Sequence, residues 1–314
     1  MDIMKMIEKK AKEKTVRILL VEGEDDRLVE AAKMAKKHKV CTPVLLRKIS
    51  GEVKGIEAIG IEDNPDMEDY VKKLVELRKH KGLTEEKARE LLKNPNYFGA
   101  LLVKLGKVDG AVGGCKYSTA DWMRAVFQVI GTKKDIPLVS AVCFFVMKDR
   151  TIFFSDTDFS IKPDAEQLAQ IAINAADFVK GIGIEPKVAL LSYSTKGNGE
   201  HEVLEPIRKA LEIVKEKRED IIIDGEMQFD AAINPGAAEK KCPDSVLKGE
   251  ANVLIFPDIT VGNVLVHALV QVTDYKFYGS FPVGLAKPVM NGGRSFDAEQ
   301  IYDLITACAM QVNI

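Results

Sequence analysis

Along the chain, short runs of continuous apolar and β-branched residues alternate with longer segments whose apolar positions recur every three to four residues. Residues 16–21 (VRILLV) form one such run; a helical pattern over 27–37 follows, then a second run at 42–46. Strand-like runs recur at 107–112, 138–147, 151–154, 187–191, 221–223, 253–256 and 277–283, with helical patterns between many of them. Continuous rather than alternating hydrophobicity marks strands covered on both faces. The alternation predicts an α/β fold with mainly parallel, doubly covered sheets.

Three helices have definable starts. In 118–130, which follows a Gly113-Gly114 break, Ser118 and Asp121 fit a capping box. Met123, Val126, Phe127 and Ile130 then form an apolar stripe. In 163–180, Pro163 suits the first turn, and Leu168, Ile171, Ala172, Ala175 and Val179 make the core face. The last helix begins near Asp297, with Ile301, Leu304, Ile305, Cys308 and Ala309 facing inward.

Composition narrows the class. At roughly 150 residues per domain, a chain of 314 residues has room for two domains with separate cores. Lys+Arg number 45 and Asp+Glu 47, a net charge of −2. Proteins that bind nucleic acid by neutralising phosphates carry a basic excess, so no nucleic-acid partner is expected. The five cysteines (41, 115, 143, 242 and 308) are odd in number and far apart, which fits a reducing compartment rather than a disulfide framework. The start, MDIMKMIEKKAKEK, lacks the apolar core of a secretory signal. The most apolar stretches, 136–147 and 253–272, are interrupted by polar or helix-breaking residues, so no membrane span is expected.

Four segments could carry chemistry. Residues 192–199 (SYSTKGNG) set hydroxyls, a lysine and two glycines between a strand and a helix, where side chains and backbone N–H groups can meet an anion. The alternative is an ordinary polar turn; the order does not match a Walker loop. Residues 284–294 (GLAKPVMNGGR) place Arg294 just ahead of a helix start, where a guanidinium and the positive helix end together favour phosphate or an oxyanion. Any single arginine is more often simply solvated. Residues 117–124 (YSTADWMR) carry Arg124 beside the apolar stripe, and a salt bridge to a nearby acid is the competing reading. Residues 76–82 (ELRKHKG) form a basic cluster at a helix end, which cations favour without any function.

Other features are weaker. The four histidines make no metal-ligand spacing, and His267, in an apolar run, reads as a core histidine. The carboxylates of 155–158 (SDTD) read as turn chemistry before they read as a cation site. Residues 224–230 (DGEMQFD) bring three acids into what reads as a loop.

Taken in order, these segments resemble the phosphate acetyl/butyryltransferase family. The likeness is collinear through RKHKGLT (78–84), YSTADWMRAVFQVIGT (117–132), the stretch 162–199, DGEMQFDAAI (224–233), ANVLIFPD (251–258) with Gly262-Asn263, and GLAKP (284–288). The resemblance implies a fold similar to isocitrate and isopropylmalate dehydrogenases: two α/β domains with mainly parallel sheets flanking an interdomain cleft, usually as a homodimer. The domains expected are 1–137 plus 292–314, and 138–291, with the final helix returning to the first. The implied activity interconverts acyl-CoA plus phosphate with acyl phosphate plus CoA, acetyl being the first expectation and butyryl the alternative. CoA is then a substrate, no resident cofactor or metal is expected, and the compartment is cytoplasmic.

By the same resemblance Arg78 and Arg124 contact CoA, and Arg294 is the catalytic arginine. Ser192, Ser194, Thr195, Lys196, Gly197 and Lys287 are further expected substrate-binding residues. The chain departs from the family's pattern at Gly293, where a serine is usual, and at Gln300, where an aspartate is usual. Either Ser295 or Asp297 stands in, or the chemistry proceeds on positioning and arginine electrostatics alone. Asp297 and Gln300 also fit a capping box. A CoA-binding paralogue without efficient turnover, or a dehydrogenase of the same fold, are the rival readings. The latter needs a carboxylate cluster that only 155–158 and 224–230 approach.

Overall fold

A computed structural model describes residues 2–136 and 138–314. The chain forms two compact units, one of Ile136–Gly284 and one of Asp2–Asp135 together with Leu285–Ile314. Residue 137, where the boundary was expected, lies outside the described residues. The return to the first unit comes at Leu285 rather than 292, because 289–291 adds a strand to that unit's sheet.

The discontinuous unit begins with α1 (Ile3–Ala11), β1 (Arg17–Leu20), α2 (Asp26–Lys37), β2 (Thr42–Arg47), β3 (Gly51–Val53) and β4 (Ile56–Gly60). It continues through α3 (Met67–Arg78), α4 (Glu85–Leu92), α5 (Pro95–Lys104), β5 (Gly110–Gly113) and α6 (Thr119–Val129). The inserted unit carries β6 (Ser140–Val146), β7 (Thr151–Ser155), α7 (Ala165–Ile182), β8 (Lys187–Leu191), α8 (Glu205–Lys217), β9 (Ile222–Met227), α9 (Phe229–Ile233), α10 (Pro235–Lys241), β10 (Val253–Ile255), α11 (Ile259–Val272) and β11 (Lys276–Val283). The chain then completes the first unit with β12 (Val289–Asn291) and α12 (Ala298–Asn313).

The discontinuous unit's sheet has the order β12-β5-β1-β2-β4-β3, parallel throughout except for the β3–β4 pair. Its central strands are buried along nearly their whole length, as their unbroken hydrophobicity requires. Trp122 of α6 is fully buried; its ring lies where Gly113 has no side chain, and its Nε1 donates to Met290 O at 2.9 Å. That bond fastens α6 to β12. Helix α12 packs on α1, α2, β5 and β12 with Ile301, Leu304, Ile305 and Cys308 buried, as the periodicity predicts.

The inserted unit's sheet runs β11-β6-β7-β10-β8-β9, antiparallel at β11–β6 and β6–β7 and parallel beyond. Helix α7 is buried around most of its circumference, not along one stripe: Ala169, Ile173, Ala176, Phe178 and Ile182 join the predicted set. Its N-cap is Asp164, in a full capping box with Gln167, so Pro163 precedes the helix rather than opening it.

Three further readings are corrected. Strand β9 extends to Met227, which places Asp224 and Glu226 on a strand, not in a loop. Phe127 is 43 % exposed, so the α6 core face is Trp122, Met123, Ala125, Val126 and Val129. His267 is exposed: α11 buries only Gly262 and Val266, although its apolar pattern is that of a core helix.

Candidate active site

The loop between β12 and α12 carries the arginine that the sequence singles out. Asp297 Oδ1 accepts from Gln300 N at 2.8 Å, and Gln300 Oε1 accepts from Asp297 N at 3.0 Å. This capping box satisfies two N–H groups at the start of α12, and such a cap stabilises by about 1 kcal/mol. Gln300 is thereby spent on the helix start. Arg294 and Ser295 are exposed, and neither side chain has a hydrogen bond or ion pair among the described residues. Lys287, ahead of β12, is exposed and equally uncommitted.

A second loop, EGEDDR between β1 and α2, holds functional candidates that the sequence analysis does not single out. Its position directly after a buried strand was the available signal. Glu22 is only 4 % exposed; its Oε1 accepts from the backbone N–H groups of Lys116 (3.3 Å) and Tyr117 (3.4 Å), and its Oε2 is buried without a partner. Burial pushes its pKa up against those backbone donors. Arg27, in the first turn of α2, donates five hydrogen bonds. Two go to Asp25 (3.1 and 2.8 Å), and one each to the carbonyls of Cys115 (3.0 Å), Arg294 (2.8 Å) and Phe296 (2.7 Å).

The CoA-assigned arginines sit in the same unit. Arg78 closes α3, is half-buried, and donates to Gln128 O at 3.3 Å. Arg124 on α6 pairs with Asp121 at 2.9 Å, the competing reading from the sequence. That pair is exposed on both sides, and such pairs contribute little, so Arg124 can exchange its partner at small cost.

In the inserted unit, residues 192–199 turn sharply, with Lys196 and Gly197 both in the left-handed region. Three of the expected anion donors already have anionic partners. Ser194 Oγ donates to Glu226 Oε1 at 3.1 Å, Gly197 N donates to the same oxygen at 2.9 Å, and Lys196 pairs with Asp224. Thr195 Oγ1 accepts from Gln228 N at 3.0 Å, while Ser192 Oγ accepts from Ser194 N at 3.4 Å. Arg208 adds bonds to Glu226 at 3.0 and 3.1 Å. Burial raises the Glu226 carboxyl, but Arg208 and Gly197 N outweigh it and hold the pKa at about 2. The acids reach the loop because β8 and β9 are neighbouring parallel strands, with Leu190 opposite Gly225.

The SDTD segment behaves as a turn: Asp156 accepts from the N–H groups of Ala141, Asp158 and Ser160 at 3.0, 3.1 and 2.9 Å. All five cysteines are free and buried, and burial raises the Cys41 thiol to about 12 and those of Cys115, Cys143 and Cys308 beyond it. None is therefore a thiolate nucleophile at neutral pH.

With this geometry in hand, likeness to known proteins decides the family. The description "Phosphate acetyl/butaryl transferase" matches residues 2–309. The chain belongs to that family. It is 38 % identical to the phosphate acetyltransferase of Bacillus subtilis over 99 % of both chains. A solved phosphotransacetylase from Streptococcus pyogenes superposes with a TM-score of 0.93 at 35 % identity, covering 99 % of this chain and 98 % of that one. The fold alone extends to 4-hydroxythreonine-4-phosphate dehydrogenase from Klebsiella pneumoniae (TM-score 0.54, 11 % identity, 96 % of this chain and 100 % of that one). The two α/β units with mostly parallel sheets, and membership of a family of acyltransferases, are thus as the sequence implied.

Proposed function

We propose that this phosphate acetyl/butaryl transferase family member is a phosphate acetyltransferase acting by direct transfer. The CoA thiolate attacks the carbonyl carbon of acetyl phosphate, and the tetrahedral adduct collapses. The bond from carbon to the phosphate oxygen breaks, releasing acetyl-CoA and inorganic phosphate; the thiol proton passes to a base or to solvent. The observation that carries the reading is the 38 % identity to a phosphate acetyltransferase along the whole length of both chains. Acetyl phosphate is already activated, so the reading assigns CoA as a substrate and no resident cofactor.

In this reading Arg294, whose guanidinium has no partner among the described residues, meets the transferring phosphate and the developing oxyanion. Asp297 is held by one carboxylate oxygen in the helix cap, which leaves Oδ2 free to take the thiol proton, and Ser295 offers a hydroxyl beside it. Arg78 and Arg124 take CoA, with Lys287 as a further cation on substrate. Ser194, Thr195, Lys196 and Gly197 shape a turn through their bonds to Glu226, Asp224 and Gln228, with Ser192 bonded to Ser194 N, and in this reading that turn serves substrate by its shape rather than by gripping an anion directly. Holding two substrates in register lowers the barrier by about 7–11 kcal/mol in well-oriented systems.

The protein is further proposed to be cytoplasmic and homodimeric. Its five free cysteines suit a reducing compartment. No helix among the described residues is long and apolar enough to cross a membrane. The apolar outer face of α11, with Val261, Val264, Val270 and Val272 exposed, supports the dimer.

The test is CoA-dependent release of phosphate from acetyl phosphate, matched by loss of free thiol. Absence of turnover with acetyl, propionyl and butyryl phosphate at high enzyme concentration, alongside retained CoA binding, would establish the rival reading of a CoA-binding paralogue. Gln300, occupied in the α12 cap, is the observation that favours that rival.

A further inference from the structure

We propose that Arg27 is a positioning residue that fixes the backbone from which Arg294 projects. A guanidinium has five N–H donors, and here each has an acceptor: two on Asp25 and one each on the carbonyls of Cys115, Arg294 and Phe296. Arg27 therefore has no donor left for a substrate phosphate. Its side chain is half-buried, and its carboxylate partner comes from the same turn, so the pair arrives at the two distant loops already assembled.

The three segments it joins follow the carboxyl ends of β12, β5 and β1, which are adjacent in the sheet. Ligands of open α/β sheets bind outside the carboxyl ends of the strands. Glu22, five residues earlier, holds the same β5–α6 loop from its other side by accepting from Lys116 N and Tyr117 N. The 115–117 segment is thus gripped through a carbonyl and through two N–H groups.

The contrast at Arg294 is the core of the inference. Its backbone carbonyl is fixed, while its own guanidinium has no partner among the described residues. That combination is what a preorganised charge needs: the mount is rigid and the donors are unspent. A group misplaced by about 1 Å costs on the order of 10²-fold in rate. The functional consequence rests on the phosphate acetyltransferase reading; the mechanical claim does not.

The experiment compares the wild type with Arg27→Gln and Arg27→Lys, by steady-state kinetics with acetyl phosphate and CoA and by deuterium uptake of the peptides covering 114–118 and 292–297. Gln cannot span three loops, and Lys has a single nitrogen to share among them. The expected result is a fall in kcat of about 10²-fold for Arg27→Gln, a smaller fall for Arg27→Lys, a KM for CoA within about threefold of wild type, and faster exchange confined to those two segments. Unchanged exchange would overturn the proposal, as would unchanged kcat, or a raised KM for CoA at constant kcat, which would put Arg27 on the ligand. If Arg27→Gln does not fold, Arg27→Lys decides by the same criteria. If the wild type has no turnover, the activity reading fails, and exchange alone decides the role of Arg27.

Discussion

Gly293 leaves the space that the Phe296 ring occupies: a β-carbon at 293 would lie 2.7 Å from both Cδ1 and Cε1 of that ring. The backbone at Gly293 is not in the left-handed region, so the obstacle to a side chain is the ring alone. The two residues form a matched pair beside Arg294. Gly293→Ser should overpack the loop at a cost of about 1–3 kcal/mol. Combined with Phe296→Ala the cost should shrink, giving a coupling of at least ~0.5 kcal/mol in a double-mutant cycle read by denaturant unfolding. Strict additivity would show that the ring is not what excludes the serine.

Asp297 has two separable roles. Asn is as good an N-cap as Asp, so Asp297→Asn should leave the melting temperature nearly unchanged while removing the carboxylate. If Asp297 takes the thiol proton, kcat falls by about 10²–10⁴-fold. Asp297→Ala loses the cap as well and should cost about 1 kcal/mol of stability in addition. Full activity in Asp297→Asn would remove this residue from the mechanism.

The arginines should divide by kinetic constant. Arg294→Ala is expected to lower kcat by about 10²–10³-fold, the usual loss for a transition-state charge donor, with KM for CoA little altered. Arg78→Ala and Arg124→Ala should instead raise KM for CoA with kcat nearly intact, the pattern of lost ground-state binding. Reversal of the two patterns would exchange the assignments.

Acid should weaken the 192–199 turn through Glu226. Its folded pKa, about 2, lies below the ordinary glutamate value, so its stabilising contribution is complete above roughly pH 4.3. It is lost as pH falls toward 2. Melting temperatures between pH 6 and 2.5 should drop more steeply for the wild type than for Glu226→Gln. Parallel curves would mean that the Arg208 contacts are not formed in solution.

The α11 face makes the proposed dimer testable. Val264 is 63 % exposed in the middle of that helix, where a charge costs the folded monomer little and an apolar interface much. Val264→Asp should halve the mass seen by light scattering without lowering the helix content. An unchanged mass would exclude α11 from the interface.

Much of this fold was legible because it is written locally. The caps at Ser118 and Asp297 and the buried runs at β1, β2 and β8 depend on neighbours a few residues away. The 192–199 turn was legible as a cluster of donors, but its acceptors lie on β9, some thirty positions later, and only strand pairing reveals that the charge is answered internally. Arg27 was invisible for the same reason in stronger form: its bond to Arg294 spans 267 positions. Helix α11 misled through chemistry rather than distance, since an apolar helix looks the same in sequence whether its own core or something else covers it.

The division of the chain at Leu285 has a consequence for biosynthesis. As the polypeptide leaves the ribosome, Ile136–Gly284 has all its parts before the earlier segment does. Asp2–Asp135 must wait for β12 and α12 before the outer edge of β5 is paired and α1 and α2 gain their neighbour. The half carrying Arg27 thus emerges first and matures last, and the three-loop clamp cannot close until Arg294 has been translated.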